Sequence, residues 1–229
     1  MKFLVISDLH GDIEKLDKLD SQFKEADAVL FAGDFARFEH PETGLPALEK
    51  LCEKHDTIFS VIGNCDEPNF TDELEKKDIS VEGSLVTYEG LSLTGSGGGS
   101  KFTGTAPNER TDEELAGDLE IVPSQDADGA PQNWDNLIVL MHNPPKDTKC
   151  DTISNGMHVG SPLLREFIES RHPLAVITGH IHESAGIDTI GNTTVINPGA
   201  LTDGCYGWLT VSKSKGTWKV DSASLEKIS

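Results

Sequence analysis

The residues best equipped for chemistry in this chain are histidines, aspartates and one asparagine, each placed behind a short apolar run. The sharpest case is Thr178-Gly179-His180-Ile181-His182, which follows Leu174-Ala175-Val176-Ile177. A short β-branched run of this kind reads as a buried strand that ends at the glycine. Two histidines at i and i+2 point the same way while the chain stays extended, and Gly179 lets the backbone approach whatever they face. The arrangement recurs at other strand ends. Asp8 and His10, again at i and i+2, follow apolar residues 3–6, and Gly33-Asp34 ends the run 28–32. Gly63-Asn64-Cys65-Asp66 ends 57–62, and His142-Asn143-Pro144-Pro145 ends 136–141. Asp8, His10, Asp34, Asn64, His142, His180 and His182 are all hard or borderline oxygen and nitrogen donors. One ion takes about four to six ligands, so a convergent set of this size suits two ions that share a carboxylate.

The elements that position these residues follow from the same runs. Strand, helix, strand, helix, strand up to residue 66 argues for an α/β chain with a mainly parallel sheet, whose ligands gather at the carboxyl ends of strands. Ile13, Leu16, Leu19 and Phe23 have helical spacing, which predicts a helix capped by Asp12. Leu45, Leu48 and Leu51 predict a second helix, and an acidic one opens at Thr71. Residues 85–88 and 91–94 flank Glu89-Gly90 as a hairpin. The glycine-rich stretch 95–100 lacks the lysine and hydroxyl residue of a phosphate loop and reads as a flexible strand exit. Thr111 to Glu114 is a capping box, and Ser161-Pro162 opens another helix. Residues 123–131 read as a surface loop, and 101–133 is the candidate for a lid or insertion. The runs 185–190, 193–196, 205–211 and 218–220 read as antiparallel strands.

Bulk properties bound the rest. A length of 229 residues suits one domain spanning 1–229. The 19 basic against 39 acidic residues give a formal charge of -20. Such a surface repels phosphate backbones and anionic membranes, so extended nucleic acid and membranes are not expected partners. Cys52, Cys65, Cys150 and Cys205 form no C-x-x-C pair, which points to a reduced, cytoplasmic setting. The four apolar residues before Ser7 are too few for a signal peptide or a membrane span.

Taken in order, Asp8-x-His10, Gly33-Asp34, Gly63-Asn64-x-Asp66, His142 and Gly179-His180-x-His182 resemble the signature of the calcineurin-like metallophosphoesterases over residues 8–182. The stretch from His142-x-Pro144-Pro145 through Gly160-Ser161 to Gly179-His180-Ile181-His182-Glu183 is similar to a branch of small single-domain phosphodiesterases, cyclic-nucleotide enzymes among them. The resemblance implies an α/β fold built as a four-layer αββα sandwich of two mixed β-sheets flanked by helices. It implies one ion on Asp8, His10, Asp34 and His182, and a second on Asp34, Asn64, His142 and His180, with Asp34 bridging. Two divalent transition-metal ions fit this oxygen and nitrogen shell, Mn first, with Fe, Zn, Ni and Co open.

The activity implied is hydrolysis of a small phosphodiester, cyclic nucleotides included, by a metal-bridging hydroxide and without a protein nucleophile. Phosphomonoesterase, protein phosphatase and weakly catalytic scaffold stand as alternatives, and a homo-oligomer is left open. Many members carry a histidine after the asparagine, where it protonates the leaving group. Here that position is Cys65, a thiol with an ordinary pKa of about 8.5. His158 is the candidate to replace that contact, and Arg37, three residues past Asp34, the candidate phosphate clamp.

Overall fold

The computed structural model describes residues 1–124, 129 and 132–228. Its first strand, β1 (Lys2–Ile6), sets the layering. Phe3 and Val5 point to one side and Leu4 and Ile6 to the other, and all are fully buried. A strand apolar on both faces must lie between two covering layers.

The chain continues through α1 (Glu14–Asp17), α2 (Asp20–Glu25), β2 (Ala28–Phe31), α3 (Gly44–Lys54), β3 (Ile58–Ser60) and α4 (Thr71–Lys76). Next come β4 (Val86–Tyr88), β5 (Leu91–Ser96), β6 (Gly99–Ser100), β7 (Glu109–Arg110) and α5 (Asp112–Gly117). The last part holds β8 (Leu137–Met141), α6 (Pro162–Arg171), β9 (Ala175–Ile177), β10 (Gly186–Ile190), β11 (Thr193–Asn197), β12 (Cys205–Ser214) and β13 (Thr217–Lys227). Beside the small β6-β7 pair stand two large sheets, one of order β13-β12-β1-β2-β3 and one of order β10-β11-β9-β8-β5-β4. Both are mixed: β1, β2 and β3 pair in parallel, as do β5, β8, β9 and β11, while the flanking pairs are antiparallel.

Three apolar layers follow from strand alternation. Phe3, Val5, Leu30 and Phe59 meet Leu93, Ile138, Leu140 and Ile177 between the sheets. Leu4, Ile6, Val29 and Phe31 take Leu16, Phe23, Leu48 and Leu74 from α1 to α4 on one outer face. Leu137, Val139 and Val176 take Leu115, Leu164 and Phe167 from α5 and α6 on the other. The result is the αββα sandwich. No helix among the described residues is long and apolar enough to cross a membrane, and the four cysteines are free.

Several local expectations are corrected. The helix expected over Ile13 to Phe23 is two short ones, and Asp12 does not cap it; the N-cap position is Ile13, with no side-chain bond. Asp12 instead closes a turn onto Leu9 O at 3.0 Å around Gly11, whose φ is 73°. That turn returns the chain to β2, where His10 N donates to Asp34 O at 3.0 Å and Gly11 N to Phe35 O at 2.8 Å. The stretch 95–100 is no loose exit. A Cβ on Gly95 or Gly97 would run into the Val61 or Glu82 side chain, so glycine there permits close packing. β13 extends far beyond 218–220, because an edge strand exposed along much of its length carries no apolar signature.

The lid expected over 101–133 includes residues 125–128, 130 and 131, as does the surface loop expected over 123–131; those lie outside the described residues. The neighbouring part is fastened to the body. Arg110 pairs bidentately with Asp118 at 2.5 and 2.9 Å, and Ser96 Oγ donates to Asp118 at 3.0 Å. Thr111 and Glu114 form the expected capping box at 3.2 and 2.7 Å. Asp112 reaches across to α6, accepting from Leu163 N at 3.1 Å and from the Ser161 hydroxyl, the cap of that helix.

Candidate metal centre

Both sheets end their parallel strands at one place. The carboxyl ends of β1, β2, β3, β8 and β9 deliver Asp8 and His10, Asp34, Asn64, His142, and His180 and His182. The turns there are tight: Asp8, His10, Asp34 and His180 are left-handed, with φ of 56°, 48°, 61° and 67°. Gly63 and Gly179 let neighbouring carboxylates in, since a Cβ on either would strike Asp34 or Asp8. Asp66, fully buried, ties the ends of β2 and β3 together. Its Oδ2 accepts from Gly63 N at 2.8 Å, Asp34 N at 3.1 Å and Phe35 N at 3.2 Å, and its Oδ1 from Ala36 N at 2.7 Å.

The side chains converge. Donor atoms of Asp8, His10 and His182 all lie within 4.8 Å of one another, as do those of Asp8, Asp34 and His142. His142, fully buried, faces the Ala32 carbonyl through Nδ1 at 2.7 Å, so its Nε2 points inward, 2.9 Å from Asn64 Oδ1 and 3.4 Å from Asp34 Oδ2. The His180 ring stands beside it, 5.2 Å between centroids. Asp34 accepts Cys65 N at Oδ1, 2.8 Å, which leaves Oδ2 facing His10 and His142.

Electrostatics follow from this crowding. Burial works against the charge on His142, but the Asp34 carboxylate beside it pushes the imidazole up to about 9. Burial and the neighbouring His142 hold His180 down at about 4. Burial opposes ionisation of Asp34 and Asp8, yet the surrounding imidazoles keep both below the usual carboxylate range. Asp66 is pushed up to about 6 by burial and by the charge of Asp34.

This donor set fits cations. Asp8 and Asp34 are buried, and among the described residues no lysine or arginine forms an ion pair with either; the basic side chains beside them are histidines. Two buried carboxylates without a fixed cation call for mobile positive charge, which protons or metal ions supply.

The other expected residues lie around this cluster. Cys65 Sγ comes within 4.8 Å of donor atoms on His10 and Asp34, closer than its place in the sequence announced. Burial, then the Asp34 charge, push its thiol far above the ordinary range. His158 is turned to the buried Asp151 instead: its Nδ1 donates to Oδ1 at 2.7 Å, beside the N–H groups of Asp147, Thr148 and Gly160 on the same carboxylate. That pairing makes His158 an anchor of the 147–160 loop and holds its pKa up. Two residues not singled out in the sequence brace the centre. Asn108 donates to Asn64 O and Gly63 O, both at 3.1 Å, and Asn143 Oδ1 accepts Ser100 N at 2.9 Å. Neither carries a sequence signal: Asn108 follows Ala106-Pro107 in a polar stretch, and Asn143 sits between His142 and Pro144.

A family model described as calcineurin-like phosphoesterase matches residues 1–184. The chain belongs to the calcineurin-like phosphoesterases. It is therefore a hydrolase of phosphate esters that depends on divalent metal. An uncharacterized protein of Methanocaldococcus jannaschii is 35% identical over 205 residues, covering 86% of this chain and 88% of that one. Among solved structures, a putative 5'-nucleotidase from Staphylococcus aureus, in complex with alpha-ketoglutarate, superposes with a TM-score of 0.65 at 15% identity; the match covers 99% of this chain and 54% of that one. A structure described as a novel archaeal phosphodiesterase gives 0.54 at 17% identity, covering 99% of this chain and all of that one.

In this calcineurin-like phosphoesterase two clefts adjoin the cluster. At the Asn64 and His180 end lies a cavity of about 340 Å³ walled by Phe38, Phe102, Ile153, Val159 and Ile181. At the His10 end lies a more polar cleft of about 430 Å³ lined by Gly11, Asp12, Arg37, Thr43 and Thr202. Arg37 is exposed there and, among the described residues, forms no ion pair.

Proposed function

We propose that this phosphoesterase is a phosphodiesterase for small diesters, with two divalent transition-metal ions, manganese foremost, at the strand-end cluster. The observation that carries the reading is the pair of clefts beside the donor cluster, one lined by Asn64 and His180 and the other by His10. A diester has two alcohol substituents and fills both; a monoester leaves one empty. The archaeal phosphodiesterase of similar fold supports the same reading.

Asp8, His10, Asp34 and His182 would hold one ion, and Asp34, Asn64, His142 and His180 the other, with Asp34 shared. Bound there, the ions supply Lewis-acid polarisation of the phosphoryl group and activation of water. The chain's own residues orient this set. The Ala32 carbonyl fixes the His142 ring, so its Nε2 faces inward without searching rotamers. Asp66 locks the backbone of Asp34 and Gly63, which fixes the separation of β2 and β3 at the centre. Arg37, free of ion pairs among the described residues, would hold an anionic oxygen on the substrate at the His10 end. Cys65, where many relatives have histidine, is a weaker acid than an imidazolium, so alcohols that leave unaided are favoured. A phosphomonoesterase is the second reading, favoured by the 5'-nucleotidase of similar fold and by Arg37, which suits a terminal phosphate dianion.

The test compares bis(4-nitrophenyl) phosphate with 4-nitrophenyl phosphate after chelation and after adding back manganese. The diester should be cleaved at least about tenfold faster in kcat/KM, and only with metal. A monoester preference moves the assignment to the second reading. No turnover of either, in protein that binds two ions, refutes both.

A further inference from the structure

The cluster says where the phosphoryl group sits, and the cavity at its Asn64 and His180 end says what it carries. The wall of that cavity comes from four separate segments: Phe38 after β2, Phe102 after β6, Ile153 and Val159 on the loop anchored by Asp151, and Ile181 between the paired histidines. No single packing need explains large apolar side chains gathered from four loops around a polar reaction centre. Phe102 is 91% exposed and Phe38 40%. Rings left in water beside a reaction centre are available to a ligand.

The segment that carries Phe102 is built rather than slack. The Glu109 carboxylate accepts from Phe102 N at 3.0 Å, Gly104 N at 2.8 Å, Ala106 N at 3.4 Å and the Thr103 hydroxyl at 3.2 Å. Thr103 and Thr105 hydroxyls are 2.6 Å apart and bond to each other. The Thr103, Thr105 and Glu109 side chains of this wall are thus spent on holding the arm in place, and Ser100 and Lys101 are the other polar residues beside it. A ligand that enters meets carbon and ring faces, with few donors or acceptors to read its edge. The volume, about 340 Å³, lies at the small end of ligand pockets and suits one ring system.

We infer that this cavity is the alcohol subsite of the enzyme and takes a planar aromatic group, gripped by ring faces and aliphatic wall rather than by hydrogen bonds. The inference rests on the phosphodiesterase reading above and narrows it to diesters in which one alcohol is aromatic. The other alcohol then extends toward the Arg37 cleft and is hydrophilic. Selectivity follows ring area, not the pattern of polar atoms on the ring.

Non-hydrolysable phosphonates test this without turnover. Methylphosphonate, benzylphosphonate and 1-naphthylmethylphosphonate share a head group and differ only in apolar area. Calorimetric binding to the manganese-loaded protein should tighten along the series, by at least about tenfold from methyl to naphthyl. Phe102→Ala, an exposed site with no demand on folding, should cut that ratio to about a third or less, and Val159→Thr should reduce it independently. An unchanged ratio in both variants, or a flat series in wild type, overturns the subsite even if nitrophenyl diesters are cleaved. A graded series in protein that cleaves no diester keeps the subsite and removes the phosphodiesterase reading. An adenosyl phosphonate separates a nucleoside from a plain aryl alcohol. Binding no tighter than the naphthyl compound supports recognition by ring face, and much tighter binding overturns it in favour of edge contacts.

Discussion

His10 and His182, separated by 172 positions in the chain, hold their Nε2 atoms 3.2 Å apart, and the same atom of His182 is 3.2 Å from Asp8 Oδ1. The Nδ1 of His10 faces Ala36 O at 3.3 Å, so that nitrogen is the one placed to donate. Its Nε2 then offers a lone pair toward the space it shares with His182 and Asp8. Lone pairs and a carboxylate that converge on one point are satisfied best by a cation.

Thermal stability should therefore follow metal. At a free manganese concentration about 100 times Kd, the stabilisation is about 2.7 kcal/mol. For a chain of this size that corresponds to a rise of about 5–10 °C in Tm, reversed by chelator. His182→Ala should reduce the rise by scanning calorimetry. A Tm indifferent to manganese in wild type would remove the cluster as a metal centre.

Asp34→Asn isolates the shared carboxylate. The amide oxygen can still accept Cys65 N, so the turn survives while the charge facing His10 and His142 disappears. Turnover should fall by about three orders of magnitude or more, with the circular dichroism spectrum unchanged. Near-normal kcat in this variant refutes the bridging role.

Cys65 is buried, and its thiol stays protonated at neutral pH in the metal-free protein. Iodoacetamide should label it much more slowly than it labels a free thiol. Cys65→His should hold or raise kcat on alkyl esters, whose leaving groups need a proton, and change aryl esters little. A collapse of the rate with alkyl esters would reveal a function of the thiol itself.

Glu82 gives a pH dependence of stability away from the centre. Burial pushes its carboxyl from 4.5 up to about 7, only partly opposed by the Ile62 N–H at 3.3 Å. The folded protein thus holds this proton more tightly than the unfolded chain. The contribution is fully present below pH 4.5 and is lost as pH rises through about 7, a loss of about 3 kcal/mol. Glu82→Gln should remove that slope, so the variant gains on wild type between pH 5 and 8 in urea midpoints. Parallel curves for the two proteins would show that Glu82 does not titrate in this window.

Much of this was legible because each donor follows an apolar run. Residues 28–32 or 174–177 can hardly be anything but buried strand, so Asp34 and His180 had to emerge at a strand end. Ordered motifs did the rest for the two-sheet layering. What sequence hid was set by long-range bonds between polar residues. Asp12 looks like a cap, yet the chain needs a turn there so that His10 can meet Asp34. His158 looks like a spare catalytic group, yet Asp151 claims it. The arm pinned by Glu109 and the braces from Asn108 have no periodicity to betray them, and β13 beyond 218–220 is too polar to read as a strand.

The left-handed backbone at Asp8, His10, Asp34 and His180 has an evolutionary consequence. Each such residue costs about 1 kcal/mol or more relative to glycine, offset at Asp8 and Asp34 by the backbone N–H groups of His180 and Cys65 that their carboxylates accept. A laboratory selection for heat resistance on demetallated protein would drift toward glycine at His10 and His180, gaining stability while erasing the donors. The same selection run with metal present would keep them. The growth medium, more than the mutagenesis scheme, would decide whether a hardened descendant is still an enzyme.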